Sequence, residues 1–199
     1  MASPVIYYIR HGETDWNVQG RLQGGRDTEL NARGRAQAAH CGEILRDLFA
    51  RAGRDASSYD YVSSPLSRAT ETMEIARSAL ALQPYRYRTD AALSEISFGD
   101  WEGFTIRELR ERDPERVAQR EHDKWHFLPP GGESYEAVSK RMQAWYGQLA
   151  GDAVVTAHGG TARGLFAALG IAKPAAAPLI DITQGMVYVI EGGKLTRYA

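Results

Sequence analysis

A single cysteine, Cys41, stands among 199 residues, so no intrachain disulfide is available and the chain suits a reducing compartment. Net charge is lacking too. Lys plus Arg number 24 against 25 for Asp plus Glu, which leaves no field to gather nucleic acid or an anionic membrane non-specifically. Neither partner is expected, and any anion binding must be local. Apolar runs fall well short of the roughly 18 residues of a spanning helix, and MASPVIYYIR has no basic flank ahead of its apolar part. The sequence is read without signal or anchor, and a cytoplasmic location is expected. GxxxxGK[ST], GxGxxG and GxSxG are all missing, which removes the ordinary signals of nucleotide hydrolysis, dinucleotide redox chemistry and serine hydrolysis. His122 and His126 stand four apart without the glutamate of HExxH, so zinc is set aside. Cys41 sits in an expected helix with no phosphate-cradling loop after it, which disfavours a cysteine phosphatase. Neither metal nor cofactor is expected.

What is present fits one domain over residues 1–199, with 43% apolar residues to build its core. Pro4–Arg10 reads as a buried strand that stops at His11-Gly12. A helix is expected from Asn31, as N-cap, to about Ala52, with Gly53 as its stop. Strand Tyr59–Ser64 and helix Leu66–Leu82 repeat the pattern. Tyr85–Thr89 alternates like a strand, Thr105–Arg120 is a charged helix broken near Pro114, and Glu133–Leu149 is amphipathic. Strand Ala153–Ala157 then ends at His158-Gly159-Gly160, followed by helix Thr161–Leu169, and Met186–Ile190 with Leu195–Tyr198 reads as a terminal hairpin. Alternating strands and helices predict an α/β fold, a mostly parallel sheet covered on both faces. Ligands in such folds sit beyond the carboxyl ends of the strands.

Three polar groups fall at those ends: Arg10-His11, the Ser63-Ser64-Pro65 turn leading to Arg68, and His158-Gly159. Gly12 lets backbone approach a ligand, Arg10 offers a planar fork suited to phosphate oxygens, and neutral imidazole is a competent nucleophile near pH 7. One histidine at a strand end is usually a structural residue. Two that both follow apolar strands and both precede glycine point to phosphoryl transfer through histidine, with Arg68 as a second guanidinium.

These strings, RHGETDWN (10–17), GRLQGGRDTELNARGRAQA (20–38), SSPLSRATET (63–72), LSEISFGDWEG (93–103), PPGGESY (129–135) and VVTAHGG (154–160), together resemble the histidine phosphatase superfamily, which includes phosphoglycerate mutases and small phosphatases. The resemblance implies a phosphoglycerate mutase-like three-layer α/β/α sandwich. It implies that His11 is the nucleophile, that Arg10, Arg68 and His158 bind the phosphoryl group, and that Asn17, Gln23 and the Gly159 backbone line the pocket. Glu95 would be the proton donor and acceptor, since a leaving alkoxide must be protonated and a water later deprotonated. Glu13 is read as orienting the loop and Glu102 as pairing with an arginine. The expected activity is cofactor-free hydrolysis of a small phosphomonoester. A mutase, which would return the phosphoryl group to substrate, is the alternative; a non-catalytic phospholigand-binding module is the alternative of another class. The short stretch between Glu102 and Gly131 favours the phosphatases, and REHDKWHF (120–127) is expected to cover the substrate with Trp125 or Phe127. A homodimer is what the family often forms.

Overall fold

A computed structural model describes residues 3–199. In chain order the elements are β1 (Ile6–Arg10), α1 (Asp15–Val18), α2 (Ala32–Ala52), β2 (Asp60–Ser63), α3 (Ser67–Ala79), β3 (Arg88–Thr89), α4 (Ile106–Arg112), α5 (Pro114–His122), α6 (Tyr135–Tyr146), β4 (Ala153–Ala157), α7 (Gly159–Ala168), β5 (Val187–Glu191) and β6 (Lys194–Tyr198). The six strands form one sheet in the order β3-β2-β4-β1-β5-β6. From β3 to β1 the neighbours run parallel, and β5 and β6 add an antiparallel edge.

Side chains alternate across a strand, and here both faces are buried. Ile6, Tyr8, Val155 and Tyr188 face one way, onto Met142 and Trp145 of α6 and Leu165 and Phe166 of α7. Tyr7, Ile9 and Val154 face the other, onto Cys41, Leu45 and Phe49 of α2 and Met73 of α3. Full burial of each such side chain contributes about 1.5–3 kcal/mol. Two sets of helices therefore sandwich the sheet, in the three layers expected. The Asn31 side chain accepts from Gly34 N at 2.9 Å to open α2, and Gly53 closes it in the left-handed conformation. Pro114 separates α4 from α5 by standing at the first turn of the second.

Several boundaries differ from the sequence expectation, two of them near the sheet's carboxyl edge or its margin. The strand expected at Tyr85–Thr89 pairs only at Arg88–Thr89, because β2 offers partners only at Val62 and Ser63. The helix expected from Thr161 starts at Gly159, since low glycine propensity conceals a start that the tertiary contacts impose. A β-carbon at Gly160 would come within 2.3 Å of Glu95 Oε1, so only glycine lets this turn approach the Glu95 loop. His122 closes α5 and His126 lies beyond it, hydrogen-bonded to Asp123 at 2.7 Å, so the two histidines do not share a helix face. No helix among the described residues is long and apolar enough to cross a membrane.

Candidate active site

Register brings the two histidines together. Arg10 pairs with Ala157 at the ends of β1 and β4, so His11 and His158 leave the sheet side by side, ring centroids 5.1 Å apart. His11 N donates to Ala157 O and Ser64 N to Thr156 O, both at 2.9 Å, which aligns the exits of β1, β2 and β4. Past His11 the chain passes close to the start of α2. A β-carbon at Gly12 would lie 2.2 Å from Gly34 O, and one at Gly34 would lie 2.2 Å from Glu13 O. The pair of glycines is what permits this crossing. Gly12 N donates to Thr72 Oγ1 at 3.1 Å, and Gln184 Nε2 donates to His11 O at 3.1 Å and Asn17 Oδ1 at 3.0 Å. The loop is thus held by α3 and by the segment before β5.

His11 Nδ1 lies 2.7 Å from Gly12 O. A carbonyl only accepts, so Nδ1 carries the hydrogen and Nε2 keeps its lone pair. Burial holds the His11 pKa well below its ordinary value, and the charges of Arg10 and Arg68 act in the same direction. Burial, then Arg68, does the same to His158, whose Nε2 sits 2.7 Å from Ser64 Oγ. Both imidazoles are therefore neutral at neutral pH. The unfolded chain binds these two protons near pH 6.5 and the folded chain resists them. Stability is then complete above about pH 6.5 and falls as the pH drops below it, by up to about 1.4 kcal/mol per pH unit for each histidine. Urea midpoints measured between pH 7.5 and 5.5 should fall accordingly; a midpoint independent of pH over that range would refute the neutral pair.

A cavity of about 140 Å³ opens beside His11, walled by Arg10, Asn17, Gln23, Arg68, Glu95 and Gly159 among others. Arg68 is fully buried, with Nη1 donating to Arg26 O at 2.7 Å and Nη2 to Gly24 O at 2.9 Å. Arg10 Nη1 donates to Ile182 O at 2.7 Å. Arg10 Nε, Arg68 Nε and His158 Nδ1 are buried without a hydrogen-bond partner among the described residues. Unsatisfied buried groups of this kind are rare in folded proteins and mark a place where a ligand completes the set. Burial lowers both guanidinium pKa values, and Glu95 opposes it at each. Asn17 Oδ1 accepts from Thr14 N and Gln184 Nε2, and Gln23 Oε1 accepts from Thr28 Oγ1, so both amide NH2 groups are the free ends. The Gly159 N–H belongs to the first turn of α7, where amides lack helical acceptors. Glu95 accepts from Ile96 N through Oε1 at 2.8 Å and from Gly160 N through Oε2 at 3.2 Å. The eight residues that the resemblance assigns to catalysis and phosphate binding thus lie around one place.

Two contacts read from sequence also have counterparts: Glu13 accepts from Asn31 Nδ2 at 3.1 Å, and Glu102 stands 3.7 Å from Arg26. Glu102 further accepts from Gly25 N and Phe98 N, tying two loops at the cavity mouth. The expectation for REHDKWHF needs correction. Trp125 is buried in the α6–α7 core and Phe127 packs on Trp101 at 5.1 Å, because both find apolar partners inside; Leu22 and Phe98 supply the apolar wall instead. Arg21 and Arg163 also line the mouth and escaped the sequence reading, as did Gln184 and Thr72. Arg163 Nε donates to Ile180 O at 2.8 Å, and its charge lowers the pKa of Arg120 and Lys124, in each of which burial is the larger cause. Arg120, Lys124 and Arg163 make no ion pair among the described residues. Nothing local in their motifs marks them as a group.

The model of the histidine phosphatase superfamily (branch 1) matches residues 6–196. The chain belongs to this superfamily. A glucosyl-3-phosphoglycerate phosphatase of Mycobacterium tuberculosis is 35% identical over 178 residues, covering 82% of this chain and 74% of that protein. A 2,3-bisphosphoglycerate-dependent phosphoglycerate mutase of Afipia carboxidovorans is 26% identical over 94% of this chain and 90% of its own length. The crystal structure of the α-ribazole phosphatase from Shigella flexneri superposes with a TM-score of 0.78 at 29% identity, covering 96% of this chain and 93% of that one. With several other curated relatives the match takes in 69% of this chain and only 26% to 35% of their own length. The phosphoglycerate mutase-like sandwich of this superfamily member is therefore shared with small phosphatases over nearly its whole length.

Proposed function

We propose that the protein hydrolyses small phosphomonoesters through a phosphohistidine on His11. The observation that carries this reading is the neutral His11 ring sharing one cavity with two buried guanidinium groups whose Nε atoms have no partner among the described residues. In the first step the Nε2 lone pair attacks phosphorus, a P–N bond forms, and the ester P–O bond breaks. Arg10, Arg68, the Nδ1–H of His158 (in the tautomer whose Nε2 accepts from Ser64) and the free amides of Asn17, Gln23 and Gly159 hold the phosphoryl oxygens as charge shifts among them. Glu95 gives its proton to the departing alkoxide. In the second step water attacks phosphorus, Glu95 takes the water's proton, and the P–N bond breaks to return neutral His11 and release phosphate. No metal or cofactor enters either step.

The substrate class follows from size and charge. A 140 Å³ cavity holds little beyond the phosphoryl group, so the remainder of the substrate lies at the mouth, beside Arg163, whose charge also reaches Arg120 and Lys124. Arg163 at the mouth makes no ion pair among the described residues, which favours a substrate with a second anionic group, a carboxylate or another phosphate. Phosphate release should be measured in EDTA over a panel of phosphomonoesters with and without a second anion, beside an assay interconverting 3-phosphoglycerate and 2-phosphoglycerate. Release is expected with little interconversion, and Arg163→Ala should lower kcat/KM about tenfold or more for doubly anionic substrates, chiefly through KM, with little change for simple alkyl phosphates. Efficient interconversion with little release would make the protein a mutase, and silence in both assays would leave a binding module.

A further inference from the structure

A cavity lies away from the histidines. It has a volume of about 810 Å³, within the range of small-molecule sites, and its walls include Tyr61 from β2, Arg77 from α3, and Leu82, Tyr85 and Arg86 from the following loop. Arg68 opens α3 at the active site and Arg77 stands near its other end, nine residues along, which at 1.5 Å per residue is about 13 Å away.

Arg77 is only 4% exposed, yet it makes no ion pair among the described residues. Its Nε donates to Gln83 O at 2.9 Å and its guanidinium carbon lies 4.2 Å from the centroid of the Tyr61 ring. Those contacts occupy one N–H and one face and leave Nη1 and Nη2 without an acceptor among the described residues, accessible from the cavity. Capping α3 does not explain it, because the carbonyls of Ala76, Arg77 and Ser78 already accept from Leu80, Leu82 and Ala81 amides. Arg86 also lacks an ion pair among the described residues. Arg77 and Arg86 line the same cavity; burial lowers the Arg77 pKa, the Tyr61 oxygen opposes this and the Arg86 charge reinforces it. The acidic residue on the wall, Asp60, is already engaged by Arg88 at 2.8 Å.

We propose that this cavity is a second anion-binding site, taking a small phosphorylated molecule whose phosphoryl group bridges Arg77 and Arg86 while its organic part lies against Tyr85 and Leu82. An anion there satisfies the Arg77 donors and offsets the repulsion between the two arginines. The site needs nothing from the histidines, so it stands or falls separately from the proposed hydrolysis.

Backbone amide NMR of the whole chain, titrated with inorganic phosphate and then with phenylphosphonate, which has no ester bond to cleave, tests it. Amides of residues 77–88 are expected to shift on a saturation curve of their own, distinct from that of Gly12 and Gly159, with phenylphosphonate binding more tightly than phosphate. Arg77→Gln should weaken that curve about tenfold or more and the exposed Arg86→Gln about fivefold, with kcat for a phosphomonoester unchanged in both. Absence of shifts in residues 77–88, or shifts that persist unchanged in both variants, would overturn the proposal. Arg86→Gln, on an exposed loop, keeps the test decisive if Arg77→Gln unfolds.

Discussion

Replacing His11 by alanine is expected to lower phosphomonoesterase turnover by about 10⁴-fold or more, the scale on which enzymes lose rate when a covalent nucleophile is removed. The Arg10 and Arg68 cradle survives that change, since its hydrogen bonds run to the backbone of Ile182, Arg26 and Gly24 rather than to the imidazole. Substrate should therefore still bind, and its affinity should fall far less than turnover. Folding should persist, with some loss of stability because the Gly12 carbonyl loses its donor. Rapid acid-free quenching of a reaction with radiolabelled substrate should trap phosphate on the wild-type chain and none on His11→Ala. Label retained by the variant, or turnover near that of the wild type, would remove His11 from the nucleophile's role.

The second large effect is expected at Glu95. Glu95→Gln removes the proton that leaves with the alkoxide, so alkyl phosphates should slow by about 10²- to 10⁴-fold. An aryl phosphate such as p-nitrophenyl phosphate releases a stable phenolate that needs no proton, and its formation of phosphohistidine should slow far less. Glutamine keeps the volume and one acceptor, though its NH2 faces either Ile96 N or Gly160 N, which donate at 2.8 Å and 3.2 Å in the native chain. Mispositioning of the α7 turn would cost both substrates equally. The ratio of the two losses, measured in the single-turnover phase, separates the roles: a ratio near one would reduce Glu95 to a positioning residue.

The central strands were legible because parallel strands buried on both faces read as continuous apolar runs, as IYYIR and AVVTA do. The residues Arg10, His11, Arg68 and His158 were legible for a related reason: each ends or follows a strand or opens a helix, and such positions cluster at one edge of a parallel sheet. Glu95 was different. One glutamate among many carries no mark of its own, and it was found only through the motif around it. Trp125 was misread because an aromatic in a polar loop looks exposed until the core that receives it is known.

The chain's own order of residues was enough to determine the fold class, the strand ends and the groups that gather there, since hydrophobic periodicity and glycine placement are local properties of the sequence. Tertiary structure alone decided the protonation and size of the site. Whether His11 is neutral depends on how completely Arg10, Arg68 and the packed sheet desolvate it, and on the carbonyl that takes its Nδ1–H. Whether the Arg163 charge is felt by Arg120 and Lys124 depends on folding that brings distant segments together, and Arg77 makes no ion pair among the described residues only because of what the fold packs around it. Charge, solvation and close approach are sums over segments distant in sequence, and they take values only once those segments are brought together.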